Sequence, residues 1–198
     1  IYWHEVLLKK IKYIFIFSVY LIIFFPTILI AKQKWIMDNS LSSITFELPV
    51  FLMKNVQGTF ENINGYIEID LENKKNNKAI FSAEIESITM NYKKYKPLLM
   101  SEIFFDQELY PITLIDTKKF SYENEKELII NVEITLKGQS QTLPIKIIVK
   151  HIAEKIVQLE CELFFSRTDF NIGIRKWSNT AILKDKVKIN ANLFLFKE

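Results

Sequence analysis

Few side chains in this sequence are of a type and spacing suited to chemistry, and those few stand apart from one another. His151 is the only histidine after residue 31, with Glu154 nearby; a lone imidazole at a polar strand end reads as structural. The acid pairs Glu84 with Glu86 and Glu160 with Glu162 are two residues apart, which in extended chain puts both carboxylates on one solvated face. The sequence holds no G-x-S-x-G elbow, no H-E-x-x-H and no phosphate-cradling glycine loop. Cys161 is the single cysteine, so an intrachain disulfide and a C-x-x-C metal or haem motif are both excluded. It sits in the apolar phase of VQLECELFF, as a small buried hydrophobe does. These observations argue against an enzyme and against a metal site.

Arg167 is different, because it continues the apolar phase of Leu163 and Phe165 to the end of that segment. A buried guanidinium must be paired, either with Asp169 or backbone carbonyls as a clasp, or with the polar head group of a ligand, where phosphate suits its fork. Arg175 and Trp177 follow the irregularity at Gly173 and read as a solvated loop beside that rim. The most aromatic loop is MSEIFFDQELYPITLIDT, residues 100 to 117. Phe104 and Phe105 are candidates for an apolar lid, facing different directions, and Tyr110 is suited to a rim with its hydroxyl wet. Pro111 fixes the backbone where the next strand begins.

The elements that must position these residues are strands. In LIINVEITLK the residues Leu128, Ile130, Val132, Ile134 and Leu136 share one face, opposite Asn131, Glu133 and Thr135. The same alternation runs through Leu143, Ile145, Ile147 and Val149, through Val157 to Phe165, and through Val187 to Leu195. Shorter copies occur at Ile44, Phe46 and Leu48, at Ile67 and Ile69, and at Phe81, Ala83 and Ile85. Asn64-Gly65 reads as a hairpin turn, residues 72 to 78 as a polar loop tip, and Lys137-Gly138 as a tight connection. All four glycines are expected at or near such punctuation. About eight strands with one dry face each close most simply into an antiparallel barrel or stack as a sandwich. One connection is long: between Thr89 and Tyr110 the alternation lapses, and KPLLMSEIFF predicts a helical turn or two carrying Leu98, Leu99, Ile103 and Phe104.

Charge limits the partners. Removing Lys9, Lys10, Lys12 and Glu5 from the totals of 26 basic and 23 acidic residues leaves 23 and 22, interspersed without a basic stripe, so nucleic acid is not a partner. The lysines at 9, 10 and 12 precede an uncharged run from Tyr13 to Ala31. As a helix this run reaches roughly 28 Å, enough to cross a hydrocarbon core. Residues 1–31 are therefore expected to be either a cleaved signal peptide, releasing the rest into the periplasm, or an uncleaved anchor holding it to the inner membrane through residues 13–31.

From residue 35 onward the order of landmarks resembles the YceI-like family. Trp35 and SSITFEL are followed by VQGTFENINGYIEID, LLMSEIFFDQELYPITL, ITLKGQSQTLPIKIIV and FFSRTDFNIGI. These are similar to the family's G-x-F and glycine turn, its Leu-x-Ser-x-x-Phe-Phe-Asp with Tyr-Pro, its Thr-Leu-x-Gly hairpin and its Arg-x-Asp-Phe segment. Gln139-Ser140-Gln141 departs from the usual hairpin tip. The resemblance implies that residues 35–198 form an all-β domain: an eight-stranded antiparallel lipocalin-like barrel with one long, partly helical loop, preceded by a membrane-targeting helix. It further implies a polyisoprenoid or other long-chain lipid held in the barrel without a cofactor, and a homodimer.

An eight-stranded barrel is either just filled by side chains or roomy enough for one ligand. Medium-sized residues on the inward phase, such as Ala83, Val132, Ile134, Cys161 and Ala191, favour a cavity. The wall and lid are assigned to Phe60, Phe81, Leu98, Phe104, Phe105, Tyr110, Ile130, Val132, Ile147, Leu163 and Phe165, with Arg167 as head-group contact; Phe104 gates access. Two other classes use the same alternation. A filled barrel in the cell envelope, acting through its surface, takes up no lipid; a small outer-membrane barrel turns its apolar face outward.

Overall fold

The computed structural model describes residues 32–121 and 126–198. The expected membrane segment, residues 13–31, lies outside them; among the described residues no helix is long and apolar enough to cross a membrane. The strands are β1 (Gln33–Met37), β2 (Ser43–Leu48), β3 (Val56–Phe60), β4 (Ile63–Ile69), β5 (Lys78–Glu84), β6 (Ile88–Met90), β7 (Ile112–Asp116), β8 (Glu127–Leu136), β9 (Gln139–Ala153), β10 (Ile156–Ser166) and β11 (Lys186–Lys197). All pairings between them are antiparallel.

Three pairs of these segments each act as one long, broken strand. β1 and β2 both lie along β11, β4 and β3 lie along β1 and β2 respectively, and β5 and β6 lie along β4 and β3. Counted so, eight strands run up and down in chain order, and β1 pairing with β11 closes the barrel. Closure pairs most of the wall on both sides, while the short β6 pairs only with β3 and the first part of β9 only with β8.

Polar side chains make the breaks. Asp38 Oδ1 accepts from Ser40 N at 2.8 Å and Leu41 N at 3.1 Å, turning the chain out between β1 and β2. Asn39 Oδ1 accepts from Ile63 N at 2.9 Å, beside the break between β3 and β4. Ser87 Oγ accepts from Asn62 N at 3.0 Å and donates to Glu84 O at 2.7 Å, where β5 gives way to β6. The interruptions therefore sit side by side on three neighbouring strands, where they bend the wall as bulges do.

The apolar phase faces inward throughout. Val132, Ile134, Leu136, Val157, Leu159, Leu163, Leu193 and Leu195 are all buried. The charged phase is outside, and its acids meet lysines on adjacent strands: Glu160 with Lys150 at 2.5 Å, Glu162 with Lys188 at 2.7 Å, Glu127 with Lys146 at 2.9 Å. This is the orientation opposite to that of a barrel bathed in lipid.

Two glycines are not punctuation. Gly58 and Gly65 lie inside β3 and β4, and Asn64-Gly65 makes no hairpin. A Cβ on Gly65 would stand 2.0 Å from Phe81 Cδ1, and one on Gly58 2.4 Å from Phe46 Cε1. Each glycine gives an aromatic ring from the neighbouring strand room to lie flat on the backbone. Lys137-Gly138 is the tight hairpin expected, with φ of 50° and 71°.

Candidate functional site

The barrel encloses a file of three apolar cavities along its axis. The first, about 280 Å³, lies between the ends of β4, β7 and β9 and the starts of β5, β8 and β10; its wall includes Ala79, Ile130, Val132, Ile147, Cys161 and Ala191. The waist, about 60 Å³, is lined by Phe60, Ala83, Ile134 and Leu136. The second large cavity, also about 280 Å³, opens beyond it between Phe46, Leu48, Val56, Met90 and Val187. Ile189 borders all three; Phe81 and Leu163 border the first and the waist, and Phe165 the waist and the second. Volumes near 300 Å³ are in the range of small-ligand pockets. The file suits a long, narrow apolar molecule better than a compact one.

Inward size explains the space. Cys161 faces Ala191 across β10 and β11, and Ala191 in turn faces Ile44 on β2, so three adjacent strands present small or medium side chains at one level. Burial there pushes the Cys161 thiol up to about 12, a further sign of an apolar interior.

Two loops cover the second cavity. After a 3₁₀ turn at Lys93–Tyr95, the short helix α1 (Lys96–Met100) begins with Pro97 in its first turn and leads into the Phe104 loop. The other loop, residues 167–184, carries Arg167, Ile172 and Trp177. They are tied together: Gly173 N and Ile174 N donate to Ile103 O at 2.8 and 3.1 Å, Arg175 meets Glu102 at 2.7 Å, and the Phe104 and Trp177 rings meet edge-on at 5.8 Å. Lys137 Nζ donates to Glu102 O at 2.6 Å and Asn171 O at 2.8 Å, fastening both loops to the β8–β9 hairpin. Burial lowers the pKa of this lysine, against the pull of Asp106 and Glu102.

The residues assigned from sequence fall as follows. Ile130, Val132 and Ile147 line the first cavity, Phe60 the waist, and Leu98, Phe104 and Phe105 the second, with Phe81, Leu163 and Phe165 at the junctions. Phe104 and Phe105, 7% and 8% exposed, border the same cavity instead of facing apart. Tyr110 borders none of the three; its ring lies over Gly138, where a Cβ would come within 2.6 Å of Cε1. It is an outer brace of the hairpin, not part of the wall.

Arg167 is 0% exposed, and its guanidinium is engaged by the chain itself. Nε donates to Lys184 O at 3.0 Å, one terminal nitrogen to Ile172 O at 2.8 Å and Gly173 O at 3.2 Å, and the other to Leu183 O at 2.9 Å. Of the alternatives open in the sequence the geometry selects the carbonyl clasp: Asp169 is not a partner in these bonds, and the head-group contact is replaced by a brace for the covering loop. Gly173, with φ of 75°, is required beside it, since a Cβ would lie 2.6 Å from the guanidinium.

Trp177, expected in a solvated loop, instead lines the second cavity, with its buried Nε1–H lacking an acceptor among the described residues. Its place after the irregular Gly173 segment was the only hint. Trp35 borders the first cavity, so each large cavity has one tryptophan. His151 reaches the rim of the first cavity, and no cluster of three His, Cys, Asp or Glu forms among the described residues.

An up-and-down eight-stranded barrel around an axial apolar channel is a lipocalin-like architecture. The family model for the YceI-like domain matches residues 35–195, and the chain belongs to that family. Among solved structures it is similar to BcnA of Burkholderia cenocepacia, with 19% identity and a TM-score of 0.73 over 80% of this chain and 98% of that one. It is also similar to a polyisoprenoid binding domain from Saccharophagus degradans implicated in plant cell wall breakdown, with 13% identity and a TM-score of 0.65 over 83% and 98%. The YceI protein of Campylobacter jejuni gives 19% identity and a TM-score of 0.63 over 76% and 89%. No curated protein matches the chain.

Proposed function

We propose that this protein binds one polyisoprenoid or similar long-chain lipid, threaded through the axial channel, and sequesters or carries it in the bacterial cell envelope. The observation that carries the reading is that three apolar cavities adjoin in a file and share wall residues, Ile189 above all. A chain drawn from water into this channel gains about 0.8 kcal/mol per CH₂, so an isoprene unit of five carbons contributes about 4 kcal/mol. A tail that passes the waist therefore binds far more tightly than one confined to a single cavity. The similar domain from Saccharophagus degradans, described as polyisoprenoid binding, supports the choice of ligand. Burial is the whole mechanism, and no step of it needs a catalytic group.

Release into the periplasm, or tethering through residues 13–31, is the setting that the N-terminal sequence favours.

Titration of residues 32–198 with a polyprenyl lipid tests the reading, because Trp35 and Trp177, at opposite ends, are the only tryptophans in that stretch. Saturable changes in emission are expected from both, the Trp177 signal alone remaining in Trp35→Phe. Emission from neither tryptophan responding to the lipid would overturn the proposal.

A further inference from the structure

The connection between β2 and β3 holds three large apolar residues in water. Phe51, Leu52 and Met53 are exposed, Leu52 by 87%, and Leu52 has a φ of 56°. A leucine takes that left-handed conformation only where its surroundings impose it. Here they do: Phe51 N donates to Ile182 O at 2.8 Å, Lys184 N to Pro49 O at 3.0 Å, and the Tyr92 hydroxyl to Lys54 O at 3.1 Å. Three segments are laced into one platform, with exposed Ile182 beside the apolar tip.

The same platform is basic. Residues 91–96 carry Lys93, Lys94 and Lys96, residues 175–186 carry Arg175, Lys176, Lys184 and Lys186, and Lys54 follows the tip. The only acid within these segments and residues 49–55 is Asp185, and it accepts hydrogen bonds from Thr168 N and Oγ1. Glu102, from the neighbouring loop, offsets Arg175 alone. Cations flank the aromatic groups, with Lys184 Nζ 5.8 Å from the Phe51 ring and Lys94 Nζ 5.0 Å from that of Tyr95. At the other end of the barrel both signs occur together, as in Asp70, Glu72, Lys74 and Lys75.

We propose that this platform docks the protein on an anionic lipid bilayer. Phe51, Leu52 and Met53 enter the boundary between head groups and acyl chains, and the surrounding lysines lie over the negative head groups, as in interfacial anchors that join an apolar tip to a basic collar. Met53, Tyr95 and Ile182 also border the second cavity, so docking turns that mouth of the channel toward the bilayer. This last consequence rests on the lipid-binding reading; docking itself does not.

The test uses residues 32–198, which contain every strand of the closed barrel and exclude the N-terminal apolar run. Cosedimentation is measured with phosphatidylcholine vesicles with and without phosphatidylglycerol. Binding is expected only with the anionic lipid and is expected to weaken as salt rises. Lys94→Gln lowers the partition about fivefold at low salt. Leu52→Asn, whose new side chain tolerates the left-handed backbone, together with Phe51→Ser, lowers it further with an unchanged melting temperature. Neither Phe51 nor Leu52 borders the channel, so lipid extracted from the purified double variant stays at the wild-type level. Equal sedimentation with neutral and anionic vesicles, or variants that sediment as the wild type does, overturns docking; loss of the extractable lipid from the wild type would instead count against the channel reading.

Discussion

Replacing Ala191 by phenylalanine separates an open channel from a filled core. Ala191 borders the first cavity, between Cys161 and Ile44 on the adjacent strands. The substitution adds six ring carbons to a space of about 280 Å³, and a cavity of roughly 150 Å³ takes a benzene molecule. In an open channel the ring needs no displaced wall, and stability should change by less than about 1 kcal/mol. It also occupies volume needed by roughly six carbons of lipid, worth about 5 kcal/mol at ~0.8 each, so affinity falls by up to about three thousandfold. Urea unfolding and the tryptophan titration measure the two quantities on the same protein. A stability loss of about 3 kcal/mol, typical of overpacking, combined with unchanged affinity would refute the cavity.

Three further outcomes follow from the geometry. Arg167→Leu leaves the carbonyls of Ile172, Gly173, Leu183 and Lys184 without their donor and should cost about 4 kcal/mol in denaturant unfolding; a loss below about 1 would remove the clasp from the account. Gly65→Ala forces the Phe81 ring off the backbone, and a double-mutant cycle with Phe81→Leu should give a coupling of at least about 1 kcal/mol, whereas additive effects would show the contact to be idle. The Cys161 thiol is raised from 9.0 to about 12 by burial, so the unfolded chain ionises first as pH rises. Its contribution is complete below pH 9 and is lost toward pH 12, by up to about 4 kcal/mol. Stability curves of the wild type and Cys161→Ala should therefore converge on alkaline titration, and parallel curves would contradict the burial.

The long strands were legible because each has one dry side: Val132 and Ile134 against Asn131 and Glu133 leave only one phase that water can accept. The alignment of the breaks was not, because Asn39 and Ser87 act through side-chain bonds to the backbone of Ile63 and Asn62 on neighbouring segments, and one sequence does not show who the neighbours are. Gly65 was misread for the same reason, since its reason for being glycine is Phe81, on the next strand. Among the site residues, those on regular strands could be placed by phase alone. Tyr110, Trp177 and the partners of Arg167 sit in irregular chain, where period carries no direction. The aromatic Phe104 loop was recognisable as a cover from composition, but its ties to residues 171–177 are tertiary.

The central claim is that the channel holds a long-chain lipid, and native mass spectrometry tests it most directly. Residues 32–198, expressed into a periplasm and purified without detergent, are expected to carry one stoichiometric long-chain adduct that lipid extraction then identifies. An apo mass that stays unchanged when polyprenyl lipids are offered would contradict the account and leave a filled barrel that works through its surface.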